Sequence, residues 1–228
     1  MSITEPKSRG EMAYRSIRDD ILSCRLTPGS KLLLGPVADR LGVSLSVIRE
    51  TASRLAAEGL LIAQSQRGFV VPGIDRDDLI ELTDARIEIE CLCLRESVRS
   101  GDMDWEVALL SAYHRMERTP ALSTDPAMKD HWAELHAKFH NSLVAGGTNR
   151  WYLRIRETLF AHSERYRRLS VALQQEQRDL DQEHKALMDA VISRDAELAC
   201  ERIRAHLSLT IKILLDAGIC DPGAGTRK

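Results

Sequence analysis

The chain has 228 residues, of which 43% are hydrophobic, 29% charged and 4% aromatic, and its formal net charge is −2. This composition excludes fibrous and disordered proteins and is typical of a largely helical, globular protein of one or two domains. The sequence shows no signal-peptide pattern and no run of about 18 apolar residues, so it predicts a cytoplasmic protein without a membrane partner.

Charge is distributed unevenly along the chain. Residues 1–72 contain ten basic and seven acidic side chains, a net charge of +3, whereas the remainder has a net charge of −5. A basic small domain joined to an acidic larger one is consistent with a nucleic-acid-binding module fused to a second function. We therefore predict two domains, residues 1–74 and 75–228.

The N-terminal residues predict a helix-turn-helix unit. A helix over residues 11–24 is followed by a turn and by a second, shorter helix that ends at Gly42. Ser44 or Ser46 can cap a third helix, which has apolar residues at helical spacing on one side. Two helices separated by "LGVS" form the unit.

Residues 60–73 predict a β-hairpin after this unit. The stretch "LLIAQSQRGFVVPG" contains two short β-prone runs with Arg67 and Gly68 at or near the turn, which is the pattern of a wing. Side chains on the first turn of a recognition helix read bases in the major groove, and a wing can reach the minor groove or the backbone. The candidate DNA-binding residues are Ser44, Ser46, Arg49, Arg67 and Gly68.

The N-terminal segments resemble a known family. "ILSCRLTPGSKL", "VADRLGVS", "IRETASRLAAEGLL" and "RGFVV" follow the order and spacing of the winged helix-turn-helix of GntR-family bacterial transcription regulators. The resemblance implies a homodimer that binds double-stranded operator DNA. Family members usually have Arg-Thr-Pro after the capping Ser, but here Leu45 occupies the position of the base-reading Arg. Leu45 can contact a thymine methyl group but cannot form bidentate bonds to guanine.

Residues 75–228 predict an antiparallel bundle of six helices, because the connections between them are short. The helices are expected near residues 76–99, 104–117, 127–145, 149–169, 175–192 and 195–217. The predicted fold class is mainly α, with an N-terminal winged helix-turn-helix followed by this bundle. Phosphate-binding loops, nucleophile elbows and Glu-x-x-His pairs do not occur in the sequence, so the corresponding enzyme classes have no support.

Four histidines are predicted to face the interior of the bundle. His136 and His140 share one face of a helix, and His184 and His206 lie in apolar stripes on two further helices. Four neutral imidazoles buried together require hydrogen-bond partners or an ion, and a divalent metal satisfies all of them. A pocket filled by water or by a ligand alone is the alternative.

The helical region resembles the FCD effector domain of the FadR/VanR branch, and six helices indicate the VanR-like subgroup. "ARIEIECLCLRES", "FHNSLVAGGTN" and "EHKALMDAVISRDAELACERIRAHL" carry the resemblance. In metal-binding members, an Asp and three His bind the ion, and by position these are His136, His140, His184 and His206. His136 replaces the usual Asp, which favours zinc, nickel or copper over manganese and leaves open whether His136 is a ligand.

Arg86 is the candidate effector-binding residue. "RIEIE" resembles the family's Arg-x-x-x-Glu, in which the Arg faces the pocket, so Arg86 is expected to bind a small carboxylate effector beside the metal. The alternative for Arg86 is a surface ion pair with Glu90. The four histidines could also close a tetrahedral, purely structural zinc site.

Three functions account for parts of the sequence: a ligand-responsive transcription repressor, a metal-dependent enzyme with an appended DNA-binding module, and a structural interaction protein. An enzyme requires a general base at the metal, and the sequence nominates no Glu or Asp for that role. Only transcription regulation accounts for both domains. We expect effector binding to favour one arrangement of the dimer and so to change the spacing of its recognition helices.

Overall fold

A computed structural model describes residues 8–65, 68–173 and 178–218. The chain divides into two compact units, residues 1–74 and residues 75–228. Within the described ranges there are nine helices and three short strands. None of the helices in these ranges is long and apolar enough to span a membrane.

The first unit contains three helices and a three-stranded antiparallel sheet. Its elements are α1 (Arg9–Leu22), β1 (Lys31–Leu32), α2 (Leu34–Leu41), α3 (Leu45–Ala57), β2 (Ile62–Gln64) and β3 (Gly68–Val70). β3 lies between β1 and β2, and Gln64 is paired with Gly68 across the predicted hairpin. α1 lies two residues earlier than expected, because the Ser8 side chain accepts a hydrogen bond from the Glu11 amide and caps it.

The turn between α2 and α3 forms as the sequence predicts. Gly42 ends α2 with a φ of 63°, a left-handed conformation that glycine adopts without a steric penalty. Ser44 then caps α3, its hydroxyl accepting a hydrogen bond from the Val47 amide. Ile48 and Leu55 of α3 are fully buried in the core of this unit.

The second unit contains six helices at the predicted places. They are α4 (Arg76–Ser100), α5 (Met103–Glu117), α6 (Pro126–Val144), α7 (Arg150–Leu173), α8 (Leu180–Ile192) and α9 (Ala196–Asp216). The expected start of α8 near residue 175 is wrong. The helix starts at Leu180, because Asp179 caps it by accepting a hydrogen bond from the Gln182 amide. Residues 174–177 lie outside the described ranges.

The core of the second unit lies between its helices and surrounds the histidines. Leu94 of α4, Phe139 of α6, Leu187 of α8 and Ile203 of α9 belong to one buried apolar cluster. The ring of Phe139 contacts the rings of both His140 and His184 at centroid distances of 5.3 and 5.5 Å. The histidines are therefore held by the same packing that holds the helices together.

Candidate functional site

The four histidines meet inside the helical unit. His136 and His140 come from α6, His184 from α8 and His206 from α9, and each is at most 4% exposed. One ring nitrogen of each residue lies within 4.8 Å of the others, and Nε2 of His136 is 3.1 Å from Nε2 of His140. The structure therefore brings together all four residues that the sequence nominated as metal ligands.

The imidazoles of this cluster are kept neutral. Burial, together with the neighbouring imidazoles and guanidinium groups, lowers the pKa of His136, His140 and His184 well below the usual value. Burial also lowers the pKa of His206. Neutral imidazole is the form that donates a lone pair to a metal ion.

Several ring nitrogens in the cluster have no hydrogen-bond partner among the described residues: Nδ1 of His136, Nδ1 of His140, and both nitrogens of His184. A buried polar atom without a partner costs about 1–3 kcal/mol. Zinc–nitrogen bonds of about 2.1 Å at tetrahedral angles place two nitrogens of one ion about 3.4 Å apart, so the ring nitrogens, which lie within 4.8 Å of one another, have to approach by about 1 Å to bind it. The donor set and its unpartnered atoms therefore fit a divalent metal.

Glu183 orients His206 from outside the cluster. Nδ1 of His206 donates to the Glu183 carboxylate at 2.8 Å, which leaves the lone pair of that ring on Nε2. Arg178 donates two further hydrogen bonds of 2.7 Å to the same carboxylate. In spite of burial, the hydrogen bonds from Arg178 and His206 lower the pKa of Glu183 to about 2.

The sequence analysis nominated no Glu or Asp as a general base at the metal, and it did not find Glu183, which accepts a hydrogen bond from His206. Glu183 immediately precedes His184 in the sequence, and this adjacency could have nominated it. Neighbouring residues on a helix diverge by about 100°, so Glu183 points away from the His184 ring and contacts α9 instead.

A pocket borders the cluster between α4, α6, α7 and α9. Its cavity volume is about 20 Å³, and His136 and His206 form one wall. Most of the remaining lining consists of apolar side chains of α4 and α9 and of hydroxyl groups of α4, α7 and α9. Two guanidinium groups, those of Arg86 and Arg167, also line it. The guanidinium, hydroxyl and apolar groups of the lining can contact the anionic and apolar parts of a small ligand, but the lining side chains have to move apart to admit it.

Arg86 lies in the wall of this pocket and is buried. Its Nη1 donates to Ser163 Oγ at 2.7 Å, and its guanidinium lies over the Phe160 ring, 4.7 Å from the centroid. Its Nε is 3.4 Å from the Glu90 carboxylate. Arg86 thus both faces the pocket and pairs with Glu90, and the pair is buried rather than at the surface.

Three further buried arginines, Arg156, Arg165 and Arg167, lie on α7, where the sequence showed no motif. Arg156 donates to Glu90 and to the His140 carbonyl oxygen, each at 3.0 Å. Arg167 forms two hydrogen bonds of 2.6 and 2.8 Å with Glu164. Charged residues on a helix are usually exposed, so the sequence pattern alone does not distinguish these buried pairs from a solvated face.

The predicted recognition helix presents an exposed first turn. Ser44, Leu45, Ser46 and Arg49 are all exposed, and 47% of Leu45 is accessible. The Ser44 and Ser46 hydroxyl oxygens are 2.8 Å apart. These four residues therefore lie together at the start of α3, as a base-contacting surface requires.

The predicted wing is present as β2 and β3. Gly68 is the first residue of β3 and is exposed, with a φ of 88° that favours glycine at the end of the hairpin turn. Arg67, the other residue predicted at the tip, lies outside the described residues.

Comparison with known proteins assigns both units. Residues 9–71 match the gntR family of bacterial regulatory proteins, and residues 81–209 match the FCD domain. The chain belongs to the GntR family of transcription regulators. This membership confirms the resemblance and the mainly helical fold expected from the sequence, and it gives the enzyme alternative no support.

Individual relatives of this GntR-family regulator cover nearly its whole length. It is 35% identical over 222 residues to the HTH-type transcriptional regulator BphR of Paraburkholderia xenovorans, covering 95% of this chain and 89% of BphR. It is 30% identical over 208 residues to the HTH-type transcriptional repressor GlaR of Escherichia coli, covering 90% and 94%. The structure of McbR/YncC from E. coli has the same fold, with a TM-score of 0.77, 17% identity, and coverage of 92% and 98%.

Proposed function

We propose that this regulator is a repressor that binds operator DNA as a homodimer and releases it in response to a small carboxylate. The observation that carries the proposal is a cluster of four buried histidines with unpartnered nitrogens beside a pocket that contains Arg86. The similarity to the repressor GlaR supports repression rather than activation of transcription.

The N-terminal unit supplies the DNA contacts in this proposal. Ser44, Leu45, Ser46 and Arg49 of the exposed first turns of α3 enter the major groove, and Arg67 and Gly68 of the wing approach the adjacent minor groove or backbone. Serine hydroxyls and the Arg49 guanidinium are hydrogen-bond donors to base edges and phosphates. The exposure of Leu45 on the same surface supports a contact with a thymine methyl group.

The four histidines would hold a divalent metal, with zinc or nickel preferred because every donor is an imidazole. When bound, the ion supplies a Lewis acid that attracts a carboxylate. His136 and His206 border the pocket, so an effector there reaches the cluster, and Arg86 can contact the same effector. Arg86 and Arg156 share the single carboxylate of Glu90, so two buried guanidinium groups are paired with one anion there. This favours an open site that admits an anionic effector.

Effector binding would act by shifting a population of dimer arrangements. A carboxylate that binds one arrangement better than the other increases its population and changes the spacing of the two recognition helices. The same coupling requires operator DNA to weaken effector binding by an equal factor.

Elemental analysis and calorimetry test the proposal together. We expect protein purified without chelators to contain one divalent ion per chain. Small di- and hydroxycarboxylates are then titrated into metal-loaded protein, metal-stripped protein and a His184→Ala variant. We expect carboxylate binding only in the metal-loaded protein. His114→Ala, which replaces an exposed histidine of α5, is the matched control. Unchanged effector affinity after metal removal would refute the metal-assisted site.

The DNA side is tested by sequencing genomic fragments that the protein retains. We expect an inverted repeat with two half-sites, as a two-fold symmetric dimer requires. Retention of fragments with no common sequence would contradict operator recognition, but it would not contradict the proposed metal site.

A further inference from the structure

Two cysteines face each other across the helical unit. The Cys200 thiol on α9 lies 3.6 Å from the Cys91 carbonyl oxygen, and the Cys91 thiol on α4 lies 3.9 Å from the Cys200 carbonyl oxygen. Cys91 is 0% and Cys200 4% exposed. The reciprocal contacts place the two cysteines directly opposite each other on α4 and α9, although the residues are 109 positions apart in the chain.

Two exposed ion pairs between α4 and α9 flank these thiols. Glu88 of α4 pairs with Arg204 of α9 at 3.2 Å, and Arg95 of α4 pairs with Glu197 of α9 through bonds of 2.7 and 2.9 Å. Residue numbers rise along α4 as they fall along α9, so the helices are antiparallel and the thiols lie between the two ion pairs. The cysteines therefore face each other at the same level of the two helices, with an ion pair on either side.

The two thiols differ in their chemistry. A hydrogen bond from Cys200, with the guanidinium groups of Arg204 and Arg95, lowers the pKa of Cys91 in spite of burial. The same hydrogen bond and burial raise the pKa of Cys200. Because the thiolate is the nucleophile, Cys91 is the thiol that reacts first and Cys200 the one positioned to react with its product.

We propose that Cys91 and Cys200 are a redox-active pair that hydrogen peroxide converts to an intramolecular disulfide. The Cys91 thiolate attacks one peroxide oxygen, so an S–O bond forms, the O–O bond breaks, and Cys91 is oxidised to a sulfenic acid while water leaves. The Cys200 sulfur then attacks the Cys91 sulfur, forming the S–S bond and releasing the sulfenic oxygen as a second water. Two thiols and one hydrogen peroxide thus give one disulfide and two waters.

This disulfide would join the helix that carries Arg86 to the helix that carries His206. Cys93 provides an internal comparison, since it lies two residues further along α4 and is equally buried. Burial, together with the Glu90 carboxylate, raises the pKa of Cys93 to about 12. Cys93 should therefore resist the same oxidant.

Peptide mapping of the full chain tests the pair. Reduced protein is treated with hydrogen peroxide, its remaining thiols are alkylated, and its peptides are mapped by mass spectrometry without reduction. We expect a cross-linked Cys91–Cys200 peptide that has lost two hydrogens. The amount of Cys93 that can still be alkylated should fall, during peroxide treatment, at least about tenfold more slowly than the amount of Cys91. Cys93→Ser should form the cross-link at an unchanged rate, whereas Cys200→Ser should accumulate a sulfenic acid at Cys91 that a 1,3-dione traps.

The map of the unsubstituted protein decides the outcome even if a cysteine variant fails to fold. Full alkylation of both cysteines after peroxide treatment would overturn the proposal. A cross-link through Cys93 or through Cys220, which lies outside the described residues, would also overturn it. So would a disulfide between two chains.

Discussion

Arg49 is the most direct test of base recognition at the scale of a single residue. Its side chain is exposed at the start of α3, on the surface it shares with Ser44 and Ser46. If it bonds to a base edge, Arg49→Ala should weaken operator binding by about 1–3 kcal/mol, measured by fluorescence anisotropy at one fixed salt concentration. Arg115→Ala, an exposed arginine of α5, should have no effect. Unchanged affinity in Arg49→Ala would remove this residue from the interface.

Leu45 gives a second prediction on the same helix. An apolar side chain at this position cannot accept or donate the bonds that select guanine, so operators selected from random DNA should tolerate A·T at the base step it contacts. Leu45→Arg should shift the selected base at that step towards guanine. Selection of an essential guanine there by the unsubstituted protein would show that another residue reads that base pair.

Glu183 should determine how tightly the metal is held without binding it. Its carboxylate accepts from His206 Nδ1 and so fixes the orientation of that ring. Glu183→Gln should weaken metal binding about 10–100-fold, measured by competition with a chromophoric chelator. Glu201→Gln, an exposed glutamate of α9, the helix that carries His206, should leave metal affinity unchanged. Equal affinities in the two variants would assign Glu183 a role in packing alone.

At the scale of helices, the junction after α6 depends on a residue without a side chain. A Cβ atom at Gly146 would lie 2.8 Å from Gly101 Cα and 2.9 Å from the Ser97 carbonyl oxygen, both of which are backbone atoms. Gly146→Ala should therefore destabilise the helical unit by about 1–3 kcal/mol or more, since the backbone has to move. Urea unfolding followed by circular dichroism measures this change. The exposed Ser111→Ala is the control, and an equally small effect of both substitutions would contradict the close approach.

The helices were predictable because their signals are local. Apolar periodicity predicted all six helices of the second unit, and Gly42 and Ser44 marked the turn of the first. β1 has only two residues, too few to show alternation, and it exists because it pairs with β3. The start of α8 was expected too early in the chain, because periodicity alone does not show which polar residue caps the helix. The structure shows that the cap is Asp179.

The sequence predicted those site residues whose type is unusual on the buried face of a helix. It did not predict those whose type is common on the exposed face. Inward-facing histidines are rare, so His136, His140, His184 and His206 could be nominated from spacing and resemblance. Glu183, Arg156 and Arg167 are charged residues of a kind that normally lies in solvent. Glu183 and Arg156 pair with residues of other helices, which no local pattern encodes. Arg167 pairs with Glu164 of its own helix, at a spacing that is equally common on solvated helix faces.

At the scale of the whole molecule, each unit has a hydrophobic core of its own. We therefore expect the fragments 1–74 and 75–228 to fold separately. In the proposed homodimer the helical unit holds the two chains together, so fragment 75–228 should sediment as a dimer and fragment 1–74 as a monomer. A dimeric fragment 1–74 would place the main dimer contact in the other unit.

Operator affinity should reveal the same division. In a dimer, binding of the second recognition helix follows that of the first within one complex, which raises affinity by about 10²–10⁴-fold over a single contact. Fragment 1–74 should therefore bind a full operator more weakly than the whole chain by a factor of this size. An oligonucleotide with one half-site is the matched control, because on it only one recognition helix is engaged and the two proteins should bind alike. If fragment 1–74 bound the full operator as tightly as the whole chain, the helical unit would contribute nothing to DNA binding, and regulation by an effector bound there would lose its basis.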